Sequence, residues 1–263
     1  MLGQCGRLGN QLWQIASTIG IAARHNEQVC FPKWDYARFF SVPDGHFVSN
    51  VYGQPVQNFV PYLAPEARDY LQDYNLWAPV QNHIRAIFQP SDLVREEFTK
   101  PQYQEFFSLP GPTLSVHVRR GDNATEGAWK ADYHPLRPMS YYHEAIAASK
   151  DFKSIAVFSD DIDWCKEHFA EYNPYFHEGG VPRPKEHETE YATAPVLDWI
   201  DFFLMVNCAQ HIISNSTYAW WAAWLGGSAS PIYPSNWFGP KLAHIDTALM
   251  FPPNWIEIKY DPV

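Results

Sequence analysis

Cysteine is scarce in this chain: four residues, Cys5, Cys30, Cys165 and Cys208, scattered without a C-x-x-C pair. That spacing excludes a disulfide framework and reads as buried or incidental thiols in a reducing compartment. Positive charge is also short. Nineteen Lys and Arg face 29 Asp and Glu, for a formal net charge of −10. This argues against nucleic acid or an anionic membrane surface as the main partner, so an anionic substrate must be met by a local cluster of arginines. Long apolar runs are missing too. The most apolar stretch, Val196 to Ile213, is interrupted by Asp198 and Asp201, so no transmembrane segment is expected. The first twenty residues mix apolar and polar types, unlike a signal peptide. There is no internal repeat, no low-complexity segment and no H-E-x-x-H or paired-histidine spacing that would support zinc. These absences lead to the expectation of a soluble, cytoplasmic protein, free or peripheral to a membrane.

What the chain does have is apolar mass. Its 263 residues are 46% hydrophobic and 16% aromatic, enough for a real core in one large domain or two compact ones. Aromatic rings stack on sugar faces, but most serve as packing, so composition alone establishes no sugar site.

The pattern is one of strands alternating with helices. Gly6-Arg7-Leu8-Gly9 is a tight loop leading into a helix over Asn10 to His25, followed by a short strand Val29 to Phe31. Only Met1 to Cys5 precede that loop, so the first strand is expected to be short or trimmed. From Pro32 to Pro112 periodicity is weak; helices are placed at Val80 to Phe88 and at Asp92 to Phe98, the second capped by Ser91. Beyond a boundary near Gly111-Pro112 the alternation is clearer. Strands fall at Thr113 to Val118, Ser154 to Phe158 and His211 to Ser214, and a last one begins at Pro231. Helices fall at Ser140 to Ser149 (Ser140 as cap), Asp160 to Phe169, Asp198 to Cys208 and Thr217 to Leu225, the last stopped by Gly226-Gly227. Glu178 to Ala194 reads as a long polar loop. This order implies an α/β fold with parallel sheets, whose ligands sit beyond the carboxyl ends of the strands.

Three segments put polar groups where such a ligand would lie. Gly6 to Gln11 lets backbone N–H groups approach a phosphate, or is an ordinary turn with Asn10 as helix cap. His117-Val118-Arg119-Arg120-Gly121-Asp122 ends an apolar strand in two guanidinium groups. They bind an anion in two-point fashion or form a salt bridge to Asp122 or Asp160. Ser214-Asn215-Ser216-Thr217 offers hydroxyls and amides to a phosphate or sugar, or simply caps a helix. A fourth segment, Ser159-Asp160-Asp161-Ile162-Asp163, contains D-x-D, which suits a hard cation. Carboxylates opening a helix are equally accounted for by its dipole.

Taken in order, these segments resemble the α-1,2-fucosyltransferase family. The resemblance rests on Gly6-Arg7-Leu8-Gly9-Asn10-Gln11-Leu12-Trp13-Gln14, His117 to Asp122, Phe158 to Cys165 and Ile213 to Trp221, and spans Gly6 to about Tyr233. It implies a GT-B-like architecture: two Rossmann-like domains with parallel sheets and the donor in the cleft. Residues 1–111 would form the acceptor side and 112–263 the GDP-fucose-binding domain. It further implies transfer of fucose from GDP-fucose, with inversion and no metal, to a hydroxyl of a galactose-terminated glycan. By that resemblance Arg119 binds the β-phosphate and stabilises the leaving group, and His117 lies near the nucleotide. Asp201, with Asp198 as fallback, reads the guanine edge. Ser216 and Thr217, beside Asn215, lie near the diphosphate, and Asn10 reaches toward diphosphate or acceptor. The stretch between Asp122 and Tyr141 departs from the family pattern where a general base is expected; Asp122, Glu126 and His134 are the candidates. Two alternatives remain at this stage, a manganese-dependent transferase using Asp161 and Asp163, and a catalytically silent nucleotide- or sugar-binding module.

Overall fold

Leu12, Ile15, Ala16 and Ile19 recur at helical spacing, and in the structure they form the buried side of helix α1, Leu8–Arg24. The structure, a computed structural model, describes residues 6–32, 34–43, 47–48, 70–121, 124, 132–178 and 198–260. The helix starts at Leu8 with Arg7 as its cap residue, so Asn10 is inside it and is not the cap. Gly6 holds φ +75°, and a Cβ there would stand 2.6 Å from Asn10 Cβ and 2.8 Å from the Tyr70 ring. Only glycine fits the loop. A parallel two-stranded pair, β1 (Phe31–Pro32) and β2 (Phe47–Val48), and two short helices, α2 (Gln81–Ile87) and α3 (Asp92–Glu97), follow. The Ser91 hydroxyl, just ahead of α3, donates to the Arg38 carbonyl.

The chain divides into two units, Met1–Glu97 with Ala248–Pro252, and Phe98–Thr247 with Pro253–Val263. Phe98 opens the second unit and packs within it. The Phe98 ring lies 5.2 Å from Tyr103, 5.7 Å from Phe107 and 6.2 Å from Trp199, all in the second unit.

The second unit opens with a short helix, α4 (Gln104–Phe107). It then alternates β3 (Thr113–Val118), α5 (Met139–Ala148), β4 (Ser154–Ser159), α6 (Ile162–His168), β5 (Tyr175–Phe176), α7 (Asp198–Val206), β6 (Gln210–Ile212), α8 (Thr217–Gly226), β7 (Ile232–Pro234) and β8 (Ile256–Ile258). The strands make one six-stranded sheet in the order β5-β4-β3-β6-β7-β8, every pairing parallel. Alternation along β3 sends Leu114, Val116 and Val118 into a core with Tyr141, Tyr142 and Ile146 of α5. α5 is preceded by Pro138 and has no side-chain cap, so Ser140 does not cap it. α8 is apolar nearly all round, with Trp220, Trp221, Trp224 and Leu225 buried, as befits a helix enclosed on every side. It stops at Gly227 in the left-handed conformation, φ +73°. Cys30, Cys165 and Cys208 are free thiols, the last two buried. Cys5 and most of the expected polar loop lie outside the described residues. Among the described residues no helix is long and apolar enough to cross a membrane.

The tightest point of the first unit is Gly20, on α1. A Cβ there would collide with the Leu76 carbonyl oxygen and stand 2.7 Å from Trp77 Cα. Gly20→Ala gains about 1 kcal/mol of helix propensity but forces backbone apart, which costs about 1–3 kcal/mol. We expect a net loss of stability, seen as a lower urea midpoint at unchanged slope; a midpoint at or above wild type would show that the neighbouring turn yields freely.

Candidate active site

The strand order reverses direction of growth between β3 and β6: β4 and β5 lie to one side of β3, and β6, β7 and β8 to the other. A doubly wound sheet opens a crevice at this point, beyond the carboxyl ends of the two central strands. Of the expected site residues, His117, Arg119 and Asn215 to Thr217 stand at these strand ends. His117, in β3 and only 8% exposed, places Nδ1 2.8 Å from the Ser214 hydroxyl beyond β6. Its ring lies 6.0 Å from Tyr218 of α8. Burial, and then the charge of Arg119, push the imidazole down to about 3, so it is neutral at working pH.

The two arginines that end β3 separate in role. Arg120 is held inside its own unit. Its backbone N–H donates to Asp160 Oδ1 at 2.7 Å and its Nε to Asp161 Oδ2 at 3.1 Å, and its guanidinium lies 3.9 Å over the Trp164 ring. Arg119 is half-buried with its Nε enclosed. Gly121 lets the chain pass Asp160, since a Cβ would stand 2.7 Å from Asp160 Oδ2. The same contacts explain the D-x-D segment. Asp161 caps α6, accepting from Trp164 N–H, and pairs with Arg120. Among the described residues no group of three or more His, Cys, Asp or Glu is placed to hold a metal ion.

At the end of β6, Ser214, Asn215 and Ser216 are all buried. Ser216 is the residue before α8, yet its side chain makes no capping hydrogen bond. The first N–H groups of this ten-residue helix are therefore not consumed by the serine expected to cap them. Asn215 donates to the Pro135 carbonyl at 3.3 Å, while its Oδ1 is buried with no hydrogen-bond partner among the described residues. Thr217 is the first residue of α8.

Sequence reading passed over Arg137. It is 3% exposed and donates to the carbonyls of Pro135 and Asn236 and to the Tyr260 hydroxyl. Burial pushes it down to about 10. It pins the segment whose Pro135 carbonyl receives Asn215, and its one visible signal was its place between prolines. His134, in the same segment, packs 5.8 Å from the Phe238 ring. Asp122 and Glu126 lie outside the described residues. Asn10, in the first unit, accepts from Gln72 at 3.1 Å.

Asp201 on α7 is 15% exposed, and its Oδ1 stands 3.2 Å from His177 Nε2. Burial, then the nearby Asp198, push its carboxyl up to about 7. His177 was not singled out in the sequence, because the two-residue strand before it shows no periodicity. It lines two cavities, one of about 480 Å³ along the edge strand β5 beside Gln102 and Glu105, and one of about 220 Å³ at the carboxyl ends of β4 and β5.

Native His117 takes up no proton until about pH 3, whereas the unfolded chain takes one near 6.5, so acid pulls toward unfolding between those values. His117→Asn keeps an amide for Ser214 and removes this titration. We expect it to lessen the stability lost between pH 6.5 and 5 by about 2 kcal/mol, read as a shallower fall of the urea midpoint. Equal slopes would mean that folded His117 is protonated.

The description of the family named glycosyl transferase family 11 matches residues 74–259, well over half of the chain. The chain is similar to the O-antigen biosynthesis glycosyltransferase WbnK of Escherichia coli, 34% identical over 64% of this chain and 54% of that one. It is also similar to an α-1,2-colitosyltransferase of Escherichia coli, 32% identical over 56% of this chain and 48% of the other. It spans about half the length of these two relatives. Galactoside α-(1,2)-fucosyltransferase 1 of Homo sapiens is 23% identical over 97% of this chain and 74% of its own. Among solved structures, the NodZ α-1,6-fucosyltransferase soaked with GDP-fucose aligns at a TM-score of 0.47 and 15% identity, over 83% of this chain and 88% of that one, too distant to carry an argument. On the extent of the family match, with an α/β sheet that ends in the residues carrying the resemblance, this chain belongs to glycosyl transferase family 11.

Proposed function

We propose that this chain is an inverting glycosyltransferase that moves fucose from GDP-fucose to a hydroxyl of a galactose-terminated glycan, making an α-1,2 linkage without a metal ion. The observation that carries this reading is the meeting of β3 and β6 at the strand-order reversal. There His117 bonds to Ser214, Arg119 follows at once, and the start of α8 is left uncapped by Ser216. Two of the named relatives carry α-1,2 transfer in their names, and the sugars there differ, colitose in one and fucose in the other.

In the proposed reaction the bond between the sugar's anomeric carbon and the β-phosphate oxygen breaks as the acceptor oxygen arrives from the opposite face. Negative charge grows on the phosphate and positive charge on the ring. Arg119 meets the phosphate with its planar pair of donors. The N-terminus of α8, with the Ser216 and Thr217 hydroxyls and the Asn215 amide, receives the remaining oxygens. Asp201 accepts from guanine and thereby selects the nucleotide. Arg120 acts indirectly, by anchoring the turn after Arg119 to Asp160 and Asp161. The acceptor proton passes to a base among Asp122, Glu126 and His134, and the acceptor glycan is assigned to the first unit with Asn10.

The test is turnover of GDP-fucose against a panel of galactose-terminated acceptors, with GDP-linked sugars other than fucose as competing donors, all in excess EDTA. We expect transfer within about threefold of that with manganese, since only screening should differ. Loss of turnover in EDTA, restored by manganese, would return the D-x-D reading. Nucleotide binding without transfer or hydrolysis would favour a silent module.

Arg119→Lys keeps the charge and loses the two-point geometry. We expect its kcat to fall by roughly a hundred- to a thousand-fold with the melting temperature nearly unchanged. A kcat close to wild type would remove Arg119 from the leaving-group role.

A further inference from the structure

The contact between His177 and Asp201 has a chemical consequence for the nucleotide. Guanine presents two donors on one edge, the ring N1–H and the exocyclic amine, and needs two acceptors. Adenine presents an acceptor at N1 and a donor at its amine, and needs a donor beside an acceptor. A carboxylate is acceptor-only, whereas a protonated carboxyl offers one donor and one acceptor. One proton on one buried aspartate therefore decides which base fits.

Asp201 is placed where that proton is finely balanced. Its surroundings raise it to about 7, burial being the larger cause and Asp198, on the same helix, the smaller. From the turn after β5, His177 brings Nε2 to 3.2 Å from Asp201 Oδ1, and neither atom has a hydrogen-bond partner among the described residues. The pair is close without being aligned, so a modest ring rotation completes the bond. On its other side, His177 Nδ1 lies 3.3 Å from the Tyr175 hydroxyl. Burial, and then Glu105, Asp201, Glu178 and Tyr103, push Tyr175 up to about 12, so it keeps its proton throughout the working range. With the phenol donating to Nδ1, the imidazole carries its own proton on Nε2, facing Asp201. Burial also lowers the basicity of His177, so it acts as a neutral N–H donor and not as a cation. Glu178, beside it, is engaged by Lys166.

We propose, resting on the reading of Asp201 as the guanine contact, that His177 is the specificity-determining partner of that residue. It directs an N–H at Asp201 Oδ1, holds the group as a carboxylate, and so makes the site accept guanine and refuse adenine. Tyr175 positions the imidazole in the tautomer that does this.

The experiment measures dissociation constants of GDP and ADP for the whole chain between pH 5.5 and 9, in wild type, His177→Leu, His177→Gln and Asp201→Asn. In wild type, GDP binding strengthens as pH rises through the Asp201 titration and then levels. In His177→Leu the midpoint should move up by about one unit and the preference for GDP over ADP at pH 7 should fall about tenfold. The difference should close by pH 9, where Asp201 ionises unaided. His177→Gln sets an amide N–H near the position of Nε2 and should stay within about threefold of wild-type preference. A His177→Leu variant with wild-type midpoint and preference, while Asp201→Asn has lost GDP, overturns the proposal and leaves the Asp201 reading standing. Equal loss of GDP and ADP at every pH marks His177 as merely structural and also overturns it, as does a His177→Gln variant that behaves like leucine. Unchanged GDP affinity in Asp201→Asn removes the underlying reading, and the proposal falls with it. If His177→Leu does not fold, nitrogen-15 shifts of the wild-type His177 ring at neutral pH decide: a proton on Nε2 and none on Nδ1 supports the proposal, and the opposite tautomer overturns it.

Discussion

The central strand β3 ends in two successive guanidinium groups, and placing them at the margin of a buried sheet constrains everything around them. Charge so situated is costly unless it is paired or bonded. Arg120 meets the requirement within the protein, its guanidinium through Asp161 and the face of Trp164, while its backbone N–H donates to Asp160. That arrangement draws Asp160 and Asp161 toward β3 and leaves little room for a side chain at 121. It also engages Asp161, one of the two carboxylates of the D-x-D segment. The arginine pair is thus a division of labour, one residue fastening the turn and the other standing at the strand-order reversal.

Burial acts on the titratable groups of this face in one consistent sense, toward neutrality. The imidazole of His117 is pushed down to about 3 and the carboxyl of Asp201 up to about 7. A neutral His117 is compatible with the Arg119 cation on the same strand, where a second positive charge would repel it. Its bond to Ser214 then joins the two central strands at their ends without adding charge. Near Asp201 the same physics leaves a carboxyl half-committed, and a neighbouring N–H can decide it.

Much of this was legible in the sequence. Strand β3 was bounded at Thr113 and Val118 as found, and β4 at its first residue, because six apolar-rich residues in a row leave little choice. α8 was legible through its capping segment and its glycine stop. The caps themselves were not: Ser140 and Ser216 sit where local chemistry favours capping, and neither does so in the expected way. A serine hydroxyl follows whichever acceptor the tertiary fold brings close, and a sequence window cannot see Arg38 from Ser91. The same limit hid His177 and Arg137. Their meaning comes from Asp201 and from the Pro135 and Asn236 carbonyls, and two of these three partners lie many residues away. The short edge strand β5 carries too few residues for any period to register. The ring packing of Phe98 on Tyr103 and Trp199 is another long-range relation that local pattern does not show.

A chain of net charge −10 would seem a poor host for an anionic nucleotide sugar. At physiological salt, exposed charges lose their influence beyond about 8 Å. The scattered surface carboxylates therefore contribute little at the end of β3. In the proposed reaction a diphosphate would meet the local field of Arg119, a neutral His117 and a start of α8 that Ser216 does not cap, with Arg120 already balanced by Asp161. Local arrangement outweighs total charge because screening is short-ranged and the groups at the reversal are partly buried, where it is weakest. The acidic surplus is better read as keeping the surface soluble than as a statement about the ligand.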